Sequence, residues 1–249
     1  MAQVRCRSRA PRGDGSTELL VFLQIPRSTT SPYKAFREAL GDEAVGWIGR
    51  NIRDSDLDNP DALASFKVIG GRMTLARALV IPNVTTYATI VNDPVSRALG
   101  QWNEAIGDQN HPHHAATHTF MQRELFEEDH PFGRAMSNVA TKYLLKNEDG
   151  PCTADAALAG VKSLRFIVGE ATRTKAFAVM VARRLGLEPG TLDEANFRAP
   201  QTNPKTARGE LLRLINTANA EDLALVDGLR GMMEPKRPVV RTRGENAGR

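Results

Sequence analysis

The sharpest feature of the hydrophobic pattern is Leu19-Leu-Val-Phe-Leu-Gln-Ile25, a run of strand length interrupted by a single polar residue. A strand wetted on one side would alternate, so this run predicts a strand buried on both faces of a parallel sheet. Pro26 ends it. Ser31 and Pro32 then supply an N-cap and a first-turn proline, and Tyr33, Phe36, Arg37 and Leu40 recur at helical spacing until Gly41. The same order returns further on. Thr85-Thr-Tyr-Ala-Thr-Ile-Val91 is β-prone and stops at Asn92-Asp93-Pro94, where Asp93 caps and Pro94 begins a helix through Val95, Leu99, Trp102 and Ile106.

Between these two units, Asn51 to Asp61 reads as a polar surface loop after Val45-Gly-Trp-Ile48. Phe66-Lys-Val-Ile69 reads as a short strand ending at Gly70-Gly71-Arg72, and Thr74 to Leu79 as a helix broken by Pro82-Asn83. Later come short helices over Thr119 to Glu127 and Asn138 to Leu145, a turn from Asn147 to Pro151, and a helix from Thr153 or Asp155 through Leu164. A strand is predicted at Arg165 to Val168, a helix at Lys175 to Leu185, a loop at Pro189 to Pro204, and a two-piece helix from Ala207 to Met233. Strands alternating with helices predict an α/β fold: a central parallel sheet flanked by helices in three layers, with ligands beyond the carboxyl ends of the strands.

The chain has 249 residues, enough for one domain of full core size, and its 41% hydrophobic and 25% charged residues are those of an ordinary soluble protein. No apolar window reaches spanning length and no signal-peptide core is seen at the start, so no membrane is expected. Two cysteines, Cys6 and Cys152, imply no disulfide framework and fit a reducing, cytoplasmic setting. The net charge of +4 is concentrated at the ends. Residues 1–14 and 234–249 each carry about +3, which leaves the body between them near −2. This predicts disordered basic tails at 1–16 and 234–249 around one domain at 17–233. The tails lack the interleaved aromatics that stack bases, so no specific nucleic-acid partner is expected.

A strand running through a hydroxyl-rich turn into a helix start is the layout of a phosphate cradle: the turn aims backbone N–H groups and the positive dipole end at an anion. Arg27, Ser28, Thr29, Thr30 and Ser31 would add side-chain donors. The loop has no glycine and G-x-x-x-x-G-K-[ST] is absent, so a plain strand-to-helix connection stands as the alternative. Gly107 to His118 holds four of the five histidines, His111, His113, His114 and His118. No cysteine lies nearby and the flanks are polar, so exposed loop histidines, or one serving as a proton acceptor, are favoured over a metal site.

Four segments spanning about residues 19 to 232 resemble, in order, motifs of the carbohydrate sulfotransferase family that includes the heparan sulfate 2-O type and many bacterial relatives. They are Phe22-Leu-Gln-Ile-Pro-Arg-Ser-Thr-Thr-Ser31, similar to F-I-H-I-P-K-T-G-G-T-S, then Val68-Ile-Gly-Gly-Arg72, and Tyr87 to Arg97 with its Asp93-Pro94. The fourth is Asn138-Val-Ala-Thr-Lys-Tyr-Leu144, followed by Ala157 to Gly169 and a terminal E-D-L-A-L-V-D. The resemblance implies a three-layer P-loop-like fold. It also implies transfer of a sulfuryl group from 3′-phosphoadenosine 5′-phosphosulfate to a hydroxyl of a carbohydrate or similar acceptor, without a metal.

On that resemblance Arg27, Ser28, Thr29, Thr30 and Ser31 hold the phosphosulfate, and Arg97 or Arg72, with Asn92, holds the 3′-phosphate. The resemblance places the base at position 72, so in an active but rearranged site Glu38 or a histidine among His113, His114 and His118, with His114 foremost, would take the acceptor proton. Arg27 is also assigned to the reaction itself, beside the leaving oxygen. The working residues depart from the family pattern. Arg27 replaces its lysine, Thr29 and Thr30 two glycines, Asn92 its clamp arginine, Gly100 its clamp serine, and Arg72 its candidate base histidine. A guanidinium cannot accept a proton. A catalytically inactive sulfotransferase-like binding protein is therefore the second expectation. A P-loop kinase or NTPase, lacking the Walker lysine, is the third.

Overall fold

The computed structural model describes residues 18–127, 130–200, 202 and 209–233. Both predicted basic tails lie outside them. Five strands, β1 (Leu19–Leu23), β2 (Val45–Trp47), β3 (Val68–Gly71), β4 (Val84–Val91) and β5 (Phe166–Glu170), form one sheet in the order β2-β3-β1-β4-β5. Every pairing is parallel. The α/β expectation of a central parallel sheet flanked by helices holds.

The connecting helices are α1 (Pro32–Leu40), α2 (Pro60–Leu63), α3 (Leu75–Ala78), α4 (Pro94–Gly107), α5 (His114–Thr119) and α6 (Gln122–Leu125). They continue as α7 (Pro131–Met136), α8 (Val139–Leu144), α9 (Ala154–Lys162), α10 (Thr174–Arg184), α11 (Gly209–Ala218) and α12 (Ala220–Met233).

β1 is buried along its whole length, because alternate residues feed two cores. Leu19, Val21 and Leu23 pack with residues of α3, α8, α9 and α12, whereas Leu20 and Phe22 face α1 and α10. Phe22 centres an aromatic cluster with Phe36, Phe177 and Phe197, ring centroids 5.6–6.2 Å away. Side chains of this size stabilise by about 1.5–3 kcal/mol each on full burial, which is why the run tolerates no alternation. Gly70 in β3 admits the Trp47 indole from β2: a Cβ there would lie 2.2 Å from the ring. A third cluster, around Trp102, Phe132 and Met136, joins α4 to α6, α7 and α11.

Several segments differ from the sequence-based expectation. Asn51 to Asp61 is not uniformly a surface loop, since Ile52 and Leu57 are buried in it. The histidine-rich segment forms α5 over His114–Thr119, and α7 was not anticipated despite His130-Pro131, an N-cap and first-turn proline. The helix expected over Thr119 to Glu127 shrinks to α6. Among the described residues no helix is long and apolar enough to cross a membrane.

Candidate functional site

The strand order places the switch point between β1 and β4. The chain leaves β1 toward β2 on one side and β4 toward β5 on the other, so the loops after these neighbours diverge and open a crevice at the carboxyl edge. The corner after β1 begins with the turn Ser28 N to Ile25 O, 3.2 Å, with Arg27 left-handed at φ 60°. The corner after β4 is Asn92-Asp93, whose aspartate caps α4 by accepting from Ser96 N at 2.7 Å. The two corners touch: Asn92 Nδ2 donates to Arg27 O at 3.2 Å. Asn92 also accepts from Asp93 N. Its amide is thus the fastener between them and is not free to act as a clamp.

Within the expected cradle the side chains are used unequally. Ser28 is buried, and its Oγ has no partner among the described residues. Thr29 is buried and sits 3.5 Å from the Gln24 amide. The N–H groups of Thr29 and Thr30 meet no acceptor among the described residues. Thr30 Oγ1, however, donates to Ala195 O and Asn196 O, and Ser31 N donates to Asn196 O at 2.9 Å. A short 3-10 turn, Glu194–Phe197, therefore lies across the start of α1, anchored by the fully buried Phe197. Its carbonyls cover the Thr30 hydroxyl and the Ser31 N–H. Ser31 occupies the N-cap position without making a side-chain cap bond, and this leaves the cradle at residues 27–30.

Arg27 reaches away from the loop. Its Nη1 meets Glu104 Oε2 of α4 at 2.5 Å, and its guanidinium lies against Gly100. Sequence reasoning missed Glu104, which sits on an exposed face of α4, 77 residues away along the chain. Both residues line a hollow of about 550 Å³ that also takes in Arg72, His111, Arg134, Lys142 and Tyr143. Four cations against one carboxylate make this hollow electropositive. Burial pushes the Tyr143 hydroxyl pKa up, while the charge of Arg72 opposes that shift. Arg72 lies where the resemblance places a base, but in this hollow it can only bind anions.

Three expected site residues lie elsewhere. Arg97 points into the protein, 2% exposed, and donates through Nη2 to Met136 O and Asn219 Oδ1, both at 2.7 Å. It lies 3.7 Å from the buried carboxylate of Asp222. Burial lowers its pKa, the Asp222 charge raises it, and the Arg27 charge lowers it again. Arg97 is a structural cation, paired with Asp222 and not with Asp93, because α4 turns that face toward Met136 of α7, Asn219, and Asp222 of α12. Glu38 is on an exposed side of α1, 3.9 Å from Lys34, and about 9 Å along the helix from its start. It lines none of the hollows described here. His114 Nδ1 lies 3.0 Å from Ala105 O, and its ring is tilted against that of His118, with centroids 4.5 Å apart. The imidazole that reaches the electropositive hollow is His111.

The motif Asn138 to Leu144 and the terminal E-D-L-A-L-V-D meet in a second relationship. Asp222 accepts from Ala140 N, Thr141 N and Thr141 Oγ1 at the start of α8, while Asn138 Oδ1 accepts from Glu221 N and Asp222 N at the start of α12. Each helix start is capped from the other. Among the described residues no group of three or more His, Cys, Asp or Glu converges as a metal set. The chain matches no protein-family model and no curated protein.

Proposed function

We propose that the chain is a sulfotransferase-like protein with a P-loop-like central unit. It binds 3′-phosphoadenosine 5′-phosphosulfate beyond the carboxyl ends of β1 and β4, and transfers the sulfuryl group to a hydroxyl of a carbohydrate or similar acceptor. The observation that carries this reading is the Arg27–Glu104 pair at the edge of the electropositive hollow. Sulfuryl transfer needs a cation where charge builds on the leaving oxygen and a base where the acceptor loses its proton. This pair supplies both.

In the proposed step Glu104 accepts the acceptor hydroxyl proton and the acceptor oxygen bonds to sulfur. The bond between sulfur and the bridging phosphate oxygen breaks, and its electron pair stays on the 5′-phosphate beside Arg27. Donor binding draws Arg27 from Glu104 to the bridging oxygen and leaves the carboxylate free to act. The N–H groups of Thr29 and Thr30 and the Ser28 hydroxyl, none of which has a partner among the described residues, support an anion at the loop. Arg72, Arg134 and Lys142 support an acceptor with acidic groups. Titration calorimetry with 3′-phosphoadenosine 5′-phosphate tests the reading: heat of binding is expected, and none at about millimolar nucleotide overturns it.

A second reading, a non-catalytic nucleotide-binding relative, draws on Arg72 at the expected base position and on the burial of Arg97. Nucleotide binding with no sulfuryl transfer to hydroxyl acceptors, in wild type and Glu104→Gln alike, would select it.

A further inference from the structure

The inward turn of Arg97 leaves the start of α4 without the cation that a second phosphate would require. Beside Asn92, however, a separate hollow of about 470 Å³ opens beyond the ends of β4 and β5, a size typical of small-molecule sites. Its walls are the turn from β5 into α10 and the segment that follows the 3-10 turn at Glu194–Phe197. Arg173, Lys175 and Arg198 line it from these two segments, and Ser96 and Thr172 add hydroxyls. Arg198 meets Glu194 at 3.0 Å and Arg173 meets Glu170 at 3.6 Å, while Lys175 has no carboxylate partner among the described residues. The hollow is therefore net positive.

Its position relative to the cradle gives it meaning. Asn92 lines the hollow and at the same time donates to Arg27 O, so the hollow and the cradle loop share one wall. A ligand with two anionic groups separated by a sugar can lie over that wall with one group on each side. Thr172-Arg-Thr-Lys175, at the uncapped start of the eleven-residue α10, repeats after β5 the strand, turn and helix order of the cradle itself.

We infer that this hollow is a second anion subsite, in which Lys175, Arg198 and Arg173 hold the phosphate monoester on the 3′ side of the nucleotide in place of Arg97. The assignment rests on the nucleotide reading above and adds residues that neither the motifs nor the resemblance singled out. All three cations are exposed, so replacing them leaves the fold intact, and methionine keeps the apolar stem where alanine removes it.

The test is titration of the full chain with 3′-phosphoadenosine 5′-phosphate and, separately, adenosine 5′-phosphate. Wild type is expected to prefer the first by about tenfold or more, the effect of one or two charge-assisted phosphate contacts. The double variants Lys175→Ala with Arg198→Ala, and Lys175→Met with Arg198→Met, should lose that preference. Their affinity for adenosine 5′-phosphate should stay within about twofold of wild type. Equal wild-type affinity for the two nucleotides, a preference that survives in the double variants, or a parallel loss for both nucleotides overturns the subsite and leaves nucleotide binding at the cradle standing. Absence of binding by wild type to either compound overturns the nucleotide reading itself, and the subsite with it.

Discussion

Gly100 leaves the space that the Arg27 guanidinium fills: a Cβ at position 100 would lie 2.6 Å from Nη2 and 2.7 Å from Nε of Arg27. The resemblance places a lysine and a serine at these two positions, so two departures that look independent in the sequence are one change in space. A planar guanidinium is broader than an ammonium and needs the missing side chain. Gly100→Ser alone is expected to push Arg27 off Glu104 and weaken nucleotide binding about tenfold, whereas Gly100→Ser with Arg27→Lys should recover most of the loss. A double-mutant cycle read by calorimetry decides it. Additive effects would separate the two positions.

Glu104→Gln is expected to lower sulfuryl transfer by roughly 10²–10⁴-fold, the usual weight of a general base, without loss of nucleotide affinity, because the variant also frees Arg27 of its carboxylate partner. The variant keeps the shape of the side chain and loses the ability to take a proton. Transfer of labelled sulfate followed beside calorimetry separates the two effects, and equal loss of both would make Glu104 a structural partner of Arg27 only.

Asn92→Ala removes the side-chain bond to Arg27 O that joins the two corners, and with it the bond that Asn92 Oδ1 accepts from Asp93 N. The expected cost is about 1–2 kcal/mol of stability, typical of two neutral hydrogen bonds, accompanied by weaker nucleotide binding. Thermal melting and calorimetry on the same sample check both. Unchanged affinity in the variant would show that the corners hold their spacing without it.

Asp222→Ala withdraws a buried carboxylate from three donors at the start of α8 and leaves Arg97 uncompensated. Removing one partner of a buried pair costs about 3–5 kcal/mol, and Asp222→Asn should cost less because it still accepts hydrogen bonds. Urea denaturation gives the ranking.

Acidification should loosen the region around α5 and α7. Burial first, then the neighbouring His111 and His130, hold the His113 pKa below its ordinary value of 6.5. The unfolded chain therefore binds this proton more readily than the folded one, so the stability present above about pH 6.5 is lost as pH falls toward the depressed folded value. The melting temperature should drop between pH 7.5 and 5.5, and His113→Gln should flatten that slope. His113 packs edge-to-face on Phe132, with ring centroids 5.5 Å apart, so a slope unchanged in the variant would place the pH response elsewhere.

The parts of this molecule that local chemistry dictates were readable from the sequence. The unbroken apolar run of β1, Pro32 at the start of α1 and Asp93-Pro94 at the start of α4 each act within a few residues, and the structure has them as expected. Ile52 and Leu57 were hidden because their aspartate-rich surroundings outweighed two isolated apolar residues. Arg97 and Glu104 both lie on α4, one buried and one exposed, and helical spacing alone cannot say which face meets α7 and α12 and which meets the loop after β1. The covering of Ser31 by Asn196 was equally out of reach, since it depends on where the 3-10 turn is anchored by Phe197.

A carboxylate seated against Arg27 gives that cation a partner that any other anion has to displace. On the proposed reading an incoming anion is compared with Glu104 and not with water, so a lone chloride or acetate has little to offer in exchange. A molecule that also engages the amides of residues 29 and 30 does better, and discrimination of this kind is set before any contact with the rest of the ligand is made.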